Sequence, residues 1–368
     1  MKFELIGEGF ICQGKPGGKR AAAGGSRAVA LSNGELLCSF GRNSGLGVND
    51  FAMGIARSKD GGLTWEEQGP IWPHLEDTYS IIGSISHSPA DKLFLYGISI
   101  PIDQEGELFW SNESQGIKEN KLFWATSTDQ GRRWSEPQLL SLPIKGSAEA
   151  PGALCVSRQG HWLACFAPYN TFDPKVIVDR QQIVAIISED EGKTWEHTAM
   201  LRFPEEHSGG AEAWIIELDD GRVLGTCWHV DHQEKQEYPN AFSISHDGGK
   251  SWGPTHSTGI MGQSTALAAL PGGRALFIYN QRKHGEVGIW LAVVNPTDSN
   301  FGVESNEIVW KAQTATQSSS SGGHSEWTDF AFGEPSVTLL QDGTLLVTFW
   351  CAQPSGKGVQ YVKLAMKN

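Results

Sequence analysis

The stretch Ser245-His246-Asp247-Gly248-Gly249-Lys250-Ser251-Trp252 decides the fold, because the chain contains its frame four times. The other copies begin at Ser58, Ser127 and Ser188; each has the form Ser-x-Asp-x-Gly-x-x-Trp, and successive copies lie about 60 residues apart. In this frame the Ser and Asp side chains can accept hydrogen bonds from backbone N–H groups just ahead, and Gly supplies a positive φ. Apolar runs such as 183–187 precede the copies. The frame therefore predicts a tight turn between antiparallel strands, with the Trp on the returning strand.

Composition favours an all-β chain that forms one domain over residues 1–368. The 368 residues include 14 Trp and 44 Gly, and short apolar runs alternate with turn residues. A net charge of −13 argues against nucleic acid or an anionic membrane as a partner. The sequence has no apolar run of about 18 residues, and residues 1–10 lack the pattern of a secretory signal, which favours a cytoplasmic protein. The six cysteines show no C-x-x-C spacing and are predicted to be reduced and buried.

A second repeated unit consists of an apolar strand, a turn and another apolar strand. Asn33-Gly34, Asp220-Gly221 and Asp342-Gly343 mark the turn in three of six such units, and Asx-Gly is a strong hairpin signal. The last unit ends with 360–364 and lacks one strand, which residues 3–12 are predicted to supply. We therefore predict a six-bladed β-propeller of four-stranded antiparallel blades, in which the N-terminal strand closes the ring and protects the sheet edges.

With these repeats the chain resembles the sialidase (neuraminidase) superfamily, whose repeat is called the Asp box or BNR repeat. The resemblance covers nearly the whole chain and implies a six-bladed propeller. It also implies a site on the central axis, at the starts of the innermost strands and in the loops beside them. The four boxes specify the fold more closely than the activity, because the superfamily includes other glycosidases, lyases and binding proteins.

The resemblance also implies site residues, since sialidases share three carboxylate-binding arginines, an Asp acid/base and a Tyr activated by a Glu. Arg27 lies where the family's Arg-Ile-Pro motif opens blade one, and a guanidinium can hold a carboxylate through two bonds. Arg42 is a candidate for a further clamp. Asp50 follows a Gly-rich loop, where the family keeps its acid/base, and Tyr361 lies roughly where its Tyr occurs. The alternatives are a structural ion pair for Arg27, a solvated side chain for Arg42, a turn residue for Asp50 and packing between blades for Tyr361.

Three innermost strands open with a glutamate, namely Glu149, Glu212 and Glu334. Equivalent positions in a ring converge on the axis, and buried carboxylates are costly unless they are paired. Glu212 also matches the family's Glu that precedes an apolar run. We therefore predict that these three side chains meet in the site. The alternative is that they bond neighbouring backbone amides at the narrow end of the blades.

Blade four departs from the family, which places its second arginine where this chain has 227–232. His229 is the candidate acid/base there, since histidine titrates near neutral pH. In blade five Arg282 is the candidate second cation. His229 and His232 lack a third ligand, so we predict no metal site and no cofactor. Three aromatic residues end second strands and are candidates for a sugar platform: Trp228, Trp350 and Tyr169.

These residues support three functional hypotheses with a carbohydrate as the partner; the oligomeric state is not predicted. The first is a sialidase-like exo-glycoside hydrolase acting on a terminal, anionic sugar. In it Arg27 and Arg282 hold the carboxylate, while Asp50 donates a proton. Glu212 and Tyr361 then act on the other side of the anomeric carbon. The second is a polysaccharide lyase or other uronate-active enzyme, with His229 or a Tyr as the base. The third is a carbohydrate-binding propeller without catalysis.

Overall fold

The computed structural model describes residues 1–15, 17–233, 235–317 and 329–367, and nearly all of their regular structure is β-strand. Blade one consists of β2 (Ala22–Ala30), β3 (Leu36–Asn43), β4 (Ala52–Ser58) and β5 (Glu66–Pro70). A 3₁₀ turn, Pro73–Leu75, leads to blade two. That blade consists of β6 (Tyr79–His87), β7 (Leu93–Pro101), β10 (Lys121–Ser127) and β11 (Gln138–Leu140). Between β7 and β10 lies a small hairpin of β8 (Trp110–Ser111) and β9 (Gly116–Ile117).

The innermost strand of blade three is divided in two. The blade consists of β12 (Ser147–Glu149), β13 (Cys155–Val156), β14 (Trp162–Tyr169), β15 (Gln182–Ser188) and β16 (Glu196–Arg202). Blade four consists of β17 (Ser208–Glu217), β18 (Val223–Asp231), β19 (Ala241–Ser245) and β20 (His256–Ser257). Blade five consists of β21 (Thr265–Leu270), β22 (Arg274–Gln281), β23 (Gly288–Val294) and β24 (Val303–Lys311).

Blade six joins the two ends of the chain. It consists of β25 (Phe332–Leu339), β26 (Leu345–Gln353), β27 (Gly356–Lys367) and β1 (Lys2–Gln13). The N-terminal strand pairs antiparallel with the C-terminal strand, from Lys2 opposite Lys367 to Gln13 opposite Gly358. This pairing confirms the predicted six-bladed propeller and its closure by the N-terminal strand.

The Ser-x-Asp-x-Gly-x-x-Trp turns follow the third strand of their blades. In the fourth copy Gly249 N–H donates to Ser245 Oγ at 2.9 Å, and Ser251 N–H donates to Asp247 Oδ1 at 2.9 Å. The same two bonds form in the other three copies. Because the strands alternate in direction, these turns lie at the opposite end of each blade from the starts of the innermost strands.

The hydrophobic core lies between neighbouring blades, where aromatic rings fill the space between the sheets. Between blades two and three, the Trp162 ring lies 4.7 Å from that of Phe94 and 5.1 Å from that of Trp124, in edge-to-face geometry. All six cysteines are free thiols, and five of them are buried. Among the described helical residues, none belongs to a segment that is long and apolar enough to cross a membrane.

We predict that Asp190→Asn lowers the thermal stability of the protein at neutral pH. Thr194 donates to the Asp190 carboxylate from its hydroxyl at 2.7 Å and from its N–H at 2.8 Å, and these bonds lower the pKa of Asp190 to about 2. Because the folded-state pKa lies below the unfolded value, this stabilisation is complete above about pH 4 and is lost as the pH falls towards 2.

Thermal unfolding followed by circular dichroism should therefore show a lower Tm for Asp190→Asn at pH 7, with a smaller deficit at pH 3. Glu196→Gln, which changes an exposed carboxylate of the same blade, is the matched control and should match the wild type. A deficit of equal size at both pH values would contradict the proposed role of the carboxylate charge.

Candidate active site

A cavity of ≈ 260 Å³ lies on the central axis of the propeller. Every blade contributes residues of its innermost strand, or residues next to that strand, to the wall. The contributing residues are 22–25, 82–84, 149–151, 211 and 212, 264, and 333 and 334. The ends of second strands complete the wall, at the end of each blade that lies away from the Asp boxes.

The three glutamates predicted from the sequence meet in this cavity. Glu149 Oε2 accepts a hydrogen bond from the backbone N–H of Glu212 at 2.7 Å, which links blades three and four. Glu334 Oε2 accepts one from the N–H of Gly25 at 2.8 Å, which links blades six and one. Among the described residues, no hydrogen-bond partner faces the buried Oε2 of Glu212. The site is thus built around three carboxyl groups from three different blades.

Burial and mutual repulsion favour the protonated forms of two of these carboxyl groups. Burial, followed by the charge of Glu334, raises the pKa of Glu212 to about 7. Burial, followed by the charge of Glu212, raises the pKa of Glu149 well above its ordinary value. Because the groups interact, their protons belong to the cluster as a whole. Both shifts favour retention of a proton by the cluster near neutral pH.

Glu212 and Glu334 occupy a backbone conformation that side chains other than Gly rarely adopt. Their φ angles are +50° and +47°. In both strands two residues oppose one residue of the second strand, which defines a β-bulge at the cavity wall. Blade one has the same bulge, and there Gly25 takes the equivalent position with φ +63°. Positive φ at two such glutamates costs free energy, and strain of this kind concentrates at functional sites.

Two predicted arginines take different positions around the cavity. Arg282 lines it, with Nη1 donating to the backbone oxygen of Phe332 at 2.8 Å and the guanidinium 3.6 Å from the Phe330 ring centre. Arg27 is buried outside the lining, and its Nη1 donates to the backbone oxygens of Ser26 and Glu334 at 2.6 and 3.0 Å. Burial lowers the pKa of Arg27 and lowers that of Arg282 to about 10. Arg27 therefore supports the wall, whereas Arg282 faces the cavity.

The predicted aromatic platform lies in the cavity wall: Trp228, Trp350 and Tyr169 all line it. Burial, followed by the charge of Glu149, raises the pKa of Tyr169. Arg180, which the sequence did not suggest, also lines the cavity, and its charge opposes that rise. Aromatic faces beside a few charged groups are typical of sugar-binding pockets.

Two residues of blade one that the sequence suggested lie outside the cavity lining. The Arg42 guanidinium is paired with both carboxylate oxygens of Glu67, and its Nη1 donates to the backbone oxygen of Gln13 at 2.8 Å. Asp50 accepts a hydrogen bond from the N–H of Ser44 at 3.1 Å and so closes its own loop. The structure does not bring either side chain together with the three glutamates.

His229 and Tyr361 also lie apart from the glutamates. The His229 ring is stacked between Phe203 and Tyr238, with ring centres 4.4 and 4.1 Å away, and burial lowers its pKa to about 4. His232 lines the cavity whereas His229 does not, so the His-x-x-His pair is split. The Tyr361 hydroxyl donates to the backbone oxygen of Leu63 at 2.8 Å, within the first Asp box.

The protein is thus a six-bladed β-propeller with a cluster of carboxyl groups on its central axis. The chain matches the BNR repeat-like domain over residues 85–347 and therefore belongs to that family. No curated protein matches the chain.

Several solved structures share the fold. One is a protein of unknown function from Dyadobacter fermentans, 18% identical over 99% of both chains, with a TM-score of 0.74. Another is a sialidase from Streptococcus pneumoniae, 14% identical over 97% of this chain and 70% of that chain, with a TM-score of 0.65. A third is an α-L-arabinanase from Penicillium chrysogenum, 15% identical over 98% of both chains, with a TM-score of 0.66. At these identities the likeness establishes the fold alone.

We predict that glycine is better tolerated than alanine at Glu212 and Glu334. Alanine has a Cβ and is strained at positive φ, whereas glycine adopts the same φ without that strain. Each Gly variant should therefore exceed the matching Ala variant in unfolding free energy by about 1 kcal/mol. Denaturant unfolding of the four variants measures the difference.

Glu149 is the matched control, because its φ is not positive. There the order should reverse, since glycine loses more conformational entropy than alanine on folding. Higher stability of the Ala variant than of the Gly variant at all three positions would show that the bulge conformation carries no strain.

Proposed function

We propose that this protein is a glycoside hydrolase that releases a terminal sugar. The observation that carries the proposal is the meeting of Glu149, Glu212 and Glu334 in one axial cavity, two of them with raised pKa values. Hydrolysis of a glycosidic bond needs one carboxylic acid and one carboxylate on either side of the bond. Likeness in fold to sialidases and to an arabinanase is consistent with this chemistry.

In the proposed mechanism Glu212 is the proton donor. Its pKa of about 7 leaves about half of it protonated at pH 7 and more at lower pH, so it can protonate the glycosidic oxygen as the bond breaks. The aromatic walls keep the site partly dry, which sustains the raised pKa. Glu149 is a positioning residue, because it holds the Glu212 backbone N–H at 2.7 Å.

Glu334 is the proposed carboxylate on the other side of the anomeric carbon. It accepts a hydrogen bond from Gly25 N–H. Its charge also counteracts the lowering by burial of the pKa values of Arg27 and Arg282. These neighbours stabilise a negative charge that can meet the positive charge developing on the sugar in the transition state.

We propose further that the terminal sugar is uncharged. The expectation of an anionic sugar rested on a clamp formed by Arg27 and Arg282, but Arg27 lies outside the lining and bonds backbone oxygens. Two guanidinium groups, those of Arg180 and Arg282, line the cavity together with the three glutamates and Asp231. With Glu149 and Glu212 protonated, the two guanidinium charges are balanced by Glu334 and Asp231, so the lining offers a substrate carboxylate no excess of positive charge.

A panel of fluorogenic aryl glycosides tests the reaction and the sugar class together. We expect release from at least one neutral glycoside, such as an α-L-arabinofuranoside, at a kcat/KM higher than that for an α-sialoside. Preference for the sialoside would reject the uncharged sugar. Sugar binding without release from any glycoside, or formation of an unsaturated uronate, would reject the hydrolase.

The two carboxyl roles can be separated by leaving group and pH. We expect Glu212→Gln to lower kcat/KM by about 10²–10⁴-fold for a poor leaving group and much less for a dinitrophenolate, which leaves without protonation. Glu334→Gln should impair both substrates. In the wild type, kcat/KM should fall above about pH 7 as Glu212 loses its proton, and Glu212→Gln should remove this fall.

Glu196→Gln is the matched control for loss of a carboxylate charge and should behave like the wild type. Asp50→Asn tests the alternative donor and should also retain activity, because Asp50 lies outside the cavity lining. Loss of activity in Asp50→Asn with retention in Glu212→Gln would reverse the assignment.

A further inference from the structure

Residues 102–120 form an insertion between the second and third strands of blade two. Their β8–β9 hairpin pairs Trp110 with Ile117 and Ser111 with Gly116. Lys118 Nζ lies 2.6 Å from Glu107 Oε1 and 2.8 Å from Asp103 Oδ2, which ties the two arms together. The insertion therefore has its own internal bonds and is more than a turn between strands.

The insertion is bonded to blade one. Asn49 N–H donates to the Glu107 backbone oxygen at 2.8 Å, and Phe109 N–H donates to that of Gly47 at 3.0 Å. Asn49 Nδ2 adds a bond to Glu107 Oε1 at 2.7 Å. These contacts hold the first arm against the Gly-rich loop that leads to Asp50.

The insertion is also bonded to blade three. Ile117 N–H donates to the Asn170 backbone oxygen at 2.9 Å, and Asn170 Nδ2 donates to that of Ser114 at 2.8 Å. The backbones approach so closely that a Cβ added at Gly116 would lie 2.5 Å from the Asn170 oxygen. Asn120 bonds both backbone groups of Ala148, the neighbour of Glu149.

Four residues of the insertion face the cavity: Phe109, Trp110, Gln115 and Ile117. The Trp110 ring lies edge-on to Tyr169, with ring centres 5.9 Å apart, and the Phe109 ring lies 5.8 Å from that of Phe51. Because it is covalently part of blade two and bonded to blades one and three, the insertion forms a fixed wall along half of the ring.

We propose that this wall makes the site accept a sugar chain only by its end, and that Trp110 is a specificity-determining residue. A polysaccharide that crosses the axis needs an opening on both sides of the reacting sugar. The wall closes one side, so the terminal sugar rests against Trp110 and the rest of the chain leaves the other way. The proposal rests on the proposed function for its substrate class.

Binding measurements test the proposal separately from catalysis. All proteins carry Glu212→Gln, and calorimetry measures their affinity for a linear arabino-oligosaccharide and for the same chain with a bulky ether on its non-reducing terminal residue. A sialyl-oligosaccharide and its capped form are run in parallel. Added variants are Gly116→Val, which displaces the wall from Asn170, and Trp110→Ala. Gly18→Val is the control, since a Cβ there meets nothing within 4 Å.

We expect the protein with an intact wall to bind the free chain about tenfold or more tightly than the capped chain. Gly116→Val and Trp110→Ala should each bring the ratio close to one, whereas Gly18→Val should keep it. In Gly116→Val, faster hydrogen exchange that is confined to the Phe109 and Ile117 amides would show that the wall has moved without unfolding of the propeller.

Equal affinity for free and capped chains with the wall intact, or no binding of either free chain, would overturn the proposal. So would an unchanged ratio in both wall variants. Failure of the wild type to hydrolyse any glycoside would reject the proposed function but would leave this binding result standing.

Discussion

The antiparallel pairing of β1 with β27 is the constraint on which the site depends. It places the first and last strands of the chain in one blade, so the six sheets form a closed ring and not an open array. Only in a closed ring do the starts of all six innermost strands surround one axis. The cavity therefore exists because of a bond pattern at the seam of the ring, while Glu149, Glu212 and Glu334 are carried by the blades that the seam holds in place.

The β-bulges direct carboxyl groups into the cavity that the six innermost strands surround. A regular strand would direct alternate side chains into the neighbouring blades, whereas a bulge re-aims one residue at the axis. Blade one carries Gly25 at this position, where positive φ costs little, and its amide serves as a donor to Glu334. Blades four and six carry Glu212 and Glu334 there and accept the strain. The packing between blades offsets this cost, so the rigid scaffold sustains a cluster of carboxyl groups that repel one another.

The sequence predicts what repetition and topology determine. The Asp boxes and Asx-Gly turns specify the blades, and the order of strands in a blade places Glu212 at the axis. The partners of individual side chains cannot be predicted in this way, because they depend on packing between residues far apart in the sequence. Arg42 is paired with Glu67 on another strand, and His229 lies between two aromatic rings. Tandem glycines at 24 and 25, aligned with 211–212 and 333–334, were the local signal that a bulge occurs at this position.

The insertion of blade two could not be predicted from the sequence for a related reason. Its residues have no repeated counterpart in the other blades, and its anchors, such as Asn49 and Asn170, belong to neighbouring blades. A propeller built from equal blades would leave its axis equally accessible from every side. The insertion breaks that symmetry by adding Trp110 to one side of the cavity lining. In this fold the repeats build the carboxyl cluster, so the choice of substrate rests with the segments that do not repeat.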